Sequence, residues 1–364
     1  MITLEQQSWY STILGEIKKW TLADINLHEI YLSLFSLMFA LLAGAIILLV
    51  SGYDPIYAYI TLFQGAFGDL FAVSATLARA TPIIFTGLAL SISFLVNAVN
   101  LGAEGQLYLG AFFAFLGGYV FHLPPVLHVI VAIIMSAIGG ILWAILPTIL
   151  KIKRGVHEIV TTMMMNGIAF LLTDYLTLYH YIDPNASIIG ATHFIDDTAV
   201  LGRVIPGTSL SFAFPLGLLF VIGVYYLLKR THIGFNIRVV GLNPKAAAYG
   251  GIAVNTIWSL GMLISGALAG IGGAGVTLGV YRRFLVRFSP GYGLPDGIVV
   301  ALIGRRNPIG VVLASIFVGA LYTGSINMRL QTQIPKELAL VLIGIITIFM
   351  ALPEFWRMIQ KWLT

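Results

Sequence analysis

"SPGYGLPDGIVVALIG", residues 289–304, ends in eight uncharged residues, Gly297 to Gly304, and then meets Arg305 and Arg306. Eight helical residues rise only about 12 Å, less than half of a hydrocarbon layer about 30 Å thick. Whether this stretch crosses decides the fold, because its flanks are clear and only their parity is not. Upstream, residues 256–280 read as a crossing; downstream, 308–328 leave the two arginines and 335–352 return. If the Lys/Arg-rich ends mark one side, the short stretch must cross as a half-helix reached through broken backbone. Such backbone is tolerated at membrane depth where it is buried in protein or lines a cavity.

The rest of the chain supports a membrane solvent. Hydrophobic residues make up 59%, charged residues 10%, and the mean hydropathy is +0.94. Soluble domains carry about a quarter charged residues. Long uncharged runs recur, as in Thr81 to Asn100 and Leu123 to Leu150, and they are continuous rather than alternating. That pattern predicts helices and excludes a barrel. Crossings are expected near 31–51, 81–98, 103–122, 125–149, 156–181, 212–228, 256–280, the half-helix, 308–328 and 335–352. The fold class is therefore an all-α polytopic membrane protein of about ten crossings, broken helices included, with both termini cytoplasmic. The basic clusters at Lys18 and Lys19, Lys151 to Arg154, Lys229 to Lys245 and Arg357 to Lys361 set that orientation, so the net charge of +5 is read as topology.

Domain organisation follows. Residues 1–28, with Trp9, Ile13, Leu14, Ile17 and Trp20 at helical steps, read as an amphipathic interfacial helix. Residues 29–355 form one permeating domain, and 356–364 a cytoplasmic tail. Cysteine is absent from the sequence, which removes thiolate chemistry. No GxxxxGK followed by Ser or Thr occurs, so no ATPase site of that kind is expected in this chain. "HEIVT" at His157 has one histidine and is no zinc motif. The small residues Gly261, Ser265, Gly266, Ala269, Gly270, Gly273 and Ala274 predict a close-packing helix face rather than a dinucleotide site.

"NAVNLGAEGQLYLGAFFAF", residues 97–115, places Asn97, Asn100, Glu104 and Gln106 among apolar helices. Two readings stand. Glu104 caps the helix that begins there, where the free amides and the dipole favour a carboxylate. Alternatively, polar groups at membrane depth line a pathway. The same pair of readings applies to Asn166 and Asp174, while Asp296 is placed to start the half-helix. "THIGFNIRVVGLNPKAAAYGGI", residues 231–252, is basic, with a Pro-initiated helical run closed by two glycines, and reads as a cytoplasmic docking element.

"NLGAEGQLYLGA", "GVHEIVTTMMMN", "RVVGLNPKAAAYGGI" and "GYGLPDGIVVALIGRRNPIGVVLAS" resemble, in order and spacing, the permease subunits of ABC importers for simple sugars and nucleosides, a group that also contains branched-chain amino acid permeases. The likeness covers residues 30–355 and is greatest to the longer permease chain of the nucleoside importers. It implies a type II-like importer permease in a bacterial inner membrane, without catalytic residues or a cofactor of its own, since ATP and Mg would be bound by a partner ATPase. It further implies a second, related permease chain and an extracytoplasmic solute-binding lipoprotein. Arg238, Gly241, Asn243, Pro244, Ala246, Ala247, Gly250 and Gly251 match the loop expected to hold the ATPase-coupling helix. The expected pathway residues are Asn97, Asn100, Glu104, Gln106, Asn166 and Asp296. A permease for riboflavin or a sugar has the same motifs, and an ion-coupled secondary transporter using Glu104 or Asp296 is the alternative of another class.

Overall fold

The computed structural model describes residues 27–288 and 293–363, with the side chains of 27–34, 294 and 353–363 set aside. The interfacial helix expected over 1–28 falls almost wholly outside them. Thirteen α-helices succeed one another within the described residues: α1 (Leu27–Val50), α2 (Pro55–Phe67), α3 (Leu70–Leu95), α4 (Ala103–Val120), α5 (Pro125–Arg154), α6 (Glu158–Leu176), α7 (Ala213–Arg230), α8 (His232–Leu242), α9 (Pro244–Tyr249), α10 (Val254–Val276), α11 (Leu294–Ile303), α12 (Pro308–Thr332) and α13 (Lys336–Leu363). Single π-turns extend α6 and α10, and β pairing among the described residues is confined to isolated bridges such as Ile182 with Thr192.

Several starts are written locally as an Asx residue followed by proline. Asp54 accepts from the amides of Ile56 and Tyr57, Asn243 from Ala246, and Asn307 from Ile309, with Pro55, Pro244 and Pro308 in the first helical position. The side chain supplies the acceptor that the first turn lacks, and proline removes a donor that would be unpaired anyway. At the other end of α5, Gly155 takes φ +67° and closes the helix beyond Lys151, Lys153 and Arg154. Those cations suit the negative helix end, and Lys151 also reaches Glu158 at 2.6 Å.

Among the described residues, six helices are long and apolar enough to cross a membrane: α3, α5, α6 and α10 with their π-turns, α7 and α12. Apolar side chains on their outer faces, such as Ile134, Leu171 and Ile222, stand exposed, as a lipid-facing surface requires. The short element after Pro295 is the ten-residue α11. The structure differs from the expected spans between 51 and 81, where α2 lies and where α3 begins at Leu70 rather than Thr81. Hydropathy stops at Arg79, but the helix runs through that charge because Asp69 caps its start by accepting from the Ala72 amide and nothing between breaks it.

Packing places α10 at the centre, against α3, α4 and α5, while α11 and α12 cover the opposite side of α3. A reciprocal arrangement results: α2 leads into α3 and packs on α12, while α11 leads into α12 and packs on α3. The small-residue face of α10 packs as expected. Gly261 meets Val96, Gly266 meets Gly140 and Ala144, and Gly273 meets the backbone of Leu107 and Ala111. Such close approach is what helices in a membrane rely on, since lipid gives no hydrophobic drive between them.

Candidate functional site

Between α3 and α4 the chain leaves the helix for residues 96–102 while still inside the bundle. Asn97 turns there with φ +57°, a conformation asparagine tolerates. Three buried amides then satisfy the broken backbone. Asn100 Nδ2 donates to Gln106 Oε1 and to Ser265 Oγ, both at 2.8 Å, while its Oδ1 accepts from the Gly102 amide at 3.1 Å. From α6, Asn166 Oδ1 accepts from the Gly105 amide at 2.8 Å and Nδ2 donates to the Leu101 carbonyl at 2.7 Å. Asn100 and Gln106 are fully covered, whereas Asn97 is exposed.

This arrangement decides how α4 is capped. Gly102, at its N-cap, offers no side-chain acceptor, and its own amide is met by Asn100 while that of Gly105 is met by Asn166. Replacing Asn166 by alanine leaves a buried donor and a buried acceptor open, at about 1–3 kcal/mol each. A lowered thermal midpoint in detergent is expected for Asn166→Ala, and an unchanged midpoint would show that the break does not depend on it.

The Glu104 side chain lies against Gly293, the residue that opens α11. Two residues into that helix Asp296, 6% exposed, accepts a hydrogen bond of 3.0 Å from the Tyr322 hydroxyl on α12. The Arg79 guanidinium of α3 sits 4.6 Å above the Tyr322 ring, and both Arg79 and Glu104 act on Asp296 through their charges. Four helices thus bring one cation, two carboxylates and a phenol together beside the polar break. Charges inside a bundle are retained where they pair or face a pathway.

The expected residues therefore divide. Asn100, Gln106 and Asn166 hold the break together, Glu104 and Asp296 meet at the start of α11, and Asn97 lies on the exposed side of the turn. Asp174 joins neither group and faces Arg287 at 3.4 Å near the far end of α6. Sequence reasoning missed Arg79 and Tyr322. The signal for Arg79 was present, since it is the only charged residue between Asp69 and Glu104.

At the basic end, residues 231–252 fold as the two helices α8 and α9. Gly241 presses on the Leu95 carbonyl at the end of α3, a contact that admits no side chain. Asn243 and Pro244 start α9, Gly251 turns with φ +81°, and α9 presents Tyr249, 94% exposed, with Lys245 and Ala248 also outward. Ala247 points inward and is buried, so it anchors α9 rather than offering a surface.

A helical bundle with apolar outer faces, a closed amide network at an internal break and a charged cluster beside it defines a multi-pass membrane protein of the transporter type. The chain belongs to the family of the branched-chain amino acid transport system, permease component, which it matches over residues 72–351. It is 35% identical to the guanosine ABC transporter permease protein NupP of Bacillus subtilis, over 90% of this chain and 94% of the relative. The glucose ABC transporter permease protein TsgB13 of Haloferax volcanii is 29% identical, over 87% and 86%. Lactococcus lactis has two similar nucleoside ABC transporter permease proteins: NupB, 28% identical over 89% and 91%, and NupC, 29% identical over 68% and 79%.

Proposed function

We propose that this chain is one of two related permease subunits of an ATP-driven importer for nucleosides. The carrying observation is its near full-length similarity to a guanosine permease, and the presence of two similar permeases in one organism supports a pair of different chains. The basic helix ends then face the cytoplasm of a bacterial cell, following the positive-inside tendency. Ten crossings result in this reading from α1, α3 to α7, α10, the half-helix α11, α12 and α13. The thirteen-residue α2, between α1 and α3, then lies toward the opposite face. A solute-binding lipoprotein would deliver the nucleoside to that face, and a cytoplasmic ATPase would bind ATP and Mg.

The pathway in this reading passes the Arg79, Glu104, Asp296 and Tyr322 cluster. The carboxylates offer acceptors to ribose hydroxyls, and the guanidinium offers donors to base carbonyls. Coupling follows the contacts. α9 docks on the ATPase through Tyr249 and Lys245, and α8 transmits its displacement through Gly241 to the end of α3. That end leads directly into the break at residues 96–102, beside the charged cluster. A packed contact with no free space passes displacement on.

The test is guanosine uptake by cells expressing the permease pair with its ATPase and lipoprotein, with glucose and riboflavin as competitors. Saturable uptake that stops when the ATPase is inactivated is expected. Uptake that persists without the ATPase and collapses with the ion gradient would replace this reading with an ion-coupled carrier. Tyr249→Asp combined with Lys245→Glu is expected to release the ATPase during purification while the permease still folds, and retention of the ATPase would remove α9 from the route. Ala247→Arg would confuse the result, because that side chain is buried.

A further inference from the structure

Two cations at the basic end have no acidic partner among the described residues. Lys229 closes α7 and Arg238 lies on α8, near enough for their charges to repel. Lys229 Nζ and Arg238 Nε are covered and make no hydrogen bond, and Lys229 sits over the Tyr225 ring at 5.7 Å. The helices packed on α8, namely α3, α7, α9 and α10, contain no Asp or Glu. Between Asp197 and Asp296 the sequence has eight Lys and Arg and no acid at all. Covered cations that repel each other are costly unless an anion joins them.

We infer that Lys229 and Arg238 hold the phosphate of an anionic phospholipid at the junction of α7 and α8. Location selects a lipid over a protein carboxylate. Lys229 ends a membrane-crossing helix, and the exposed apolar residues Ile222 and Tyr226 precede it at helical spacing on α7. An acyl chain fits along that apolar face while the headgroup meets the two cations, as basic pockets at helix ends do with acidic lipids. The surface proposed for the ATPase is the separate tip of α9, so this site does not depend on which solute is carried.

Native mass spectrometry of the full chain tests the site, after washing in micelles doped with phosphatidylglycerol or phosphatidylcholine. Retention of phosphatidylglycerol over phosphatidylcholine is expected, falling about fivefold with Lys229→Gln or Arg238→Gln and roughly 25-fold with both. Lys245→Gln on α9 should leave it unchanged, and the charge-conserving pair Lys229→Arg with Arg238→Lys should preserve it should the double glutamine variant misfold. Equal retention by the wild type and a folded double variant would overturn the proposal. So would displacement of the lipid by inorganic phosphate, which would mark a free-anion pocket, or loss of a co-purified ATPase with lipid binding intact, which would mark a protein contact.

Discussion

Gly270→Leu is expected to prevent accumulation of folded protein in the membrane. The backbone at Gly270 is held between two other helices: Gly110 of α4 lies against it on one side, and Ser136 and Gly140 of α5 on the other. A Cβ at this position would press on the Ser136 carbonyl and come within 3.1 Å of Gly140 Cα, so backbone atoms rather than side chains would have to yield. Gly270→Ala should already lower stability by about 1–3 kcal/mol, the usual cost of overfilling a packed site. Leucine adds three more carbons where no space exists. Gly223→Ala on α7, where nothing lies within 4 Å, should be neutral or slightly stabilising. The comparison is read from fluorescence-detected size exclusion and thermal melting, and a well-folded Gly270→Leu protein would refute the central seam.

Asp296→Asn and Arg79→Gln are each expected to lower nucleoside uptake while leaving the amount of folded protein unchanged. Hydrogen bonds to charged groups contribute about 1.5–3 kcal/mol, which corresponds to roughly 10- to 150-fold in transport efficiency if they act on the solute. Tyr322→Phe isolates one part of the cluster, because it removes the bond to Asp296 and keeps the ring beneath Arg79. Since the two charges share Tyr322, the double variant Arg79→Gln with Asp296→Asn should fall short of the sum of the singles. Wild-type uptake by Asp296→Asn would identify the cluster as structural. Ordinary melting separates that outcome from misfolding.

Much of the architecture was legible because its causes are local. Continuous apolar runs, Asx-Pro starts at Asn243 and Asn307, and the small residues of the segment that became α10 each act within a few turns of helix. The same signal, Asp54 followed by Pro55, announced α2, but thirteen residues fall short of the length that hydropathy rewards. Arg79 was hidden for a related reason: averaging over an apolar window ends a span at a charge, whereas backbone hydrogen bonding carries a helix through it.

The polar residues show the boundary of such reading most clearly. Composition and spacing determined that Asn97, Asn100, Glu104, Gln106, Asn166 and Asp296 stand in apolar surroundings and need partners. They left open whether each serves the backbone or a pathway, because that depends on which groups lie nearby in space. Only the tertiary structure decided that Asn166 on α6 completes the first turn of α4, that Asn100 bonds to Ser265 from 165 positions away, and that Tyr322 and Arg79 meet Asp296. A helical pattern depends on neighbours three and four residues apart, while the fate of a buried hydrogen-bonding group depends on contacts between helices far apart in the chain.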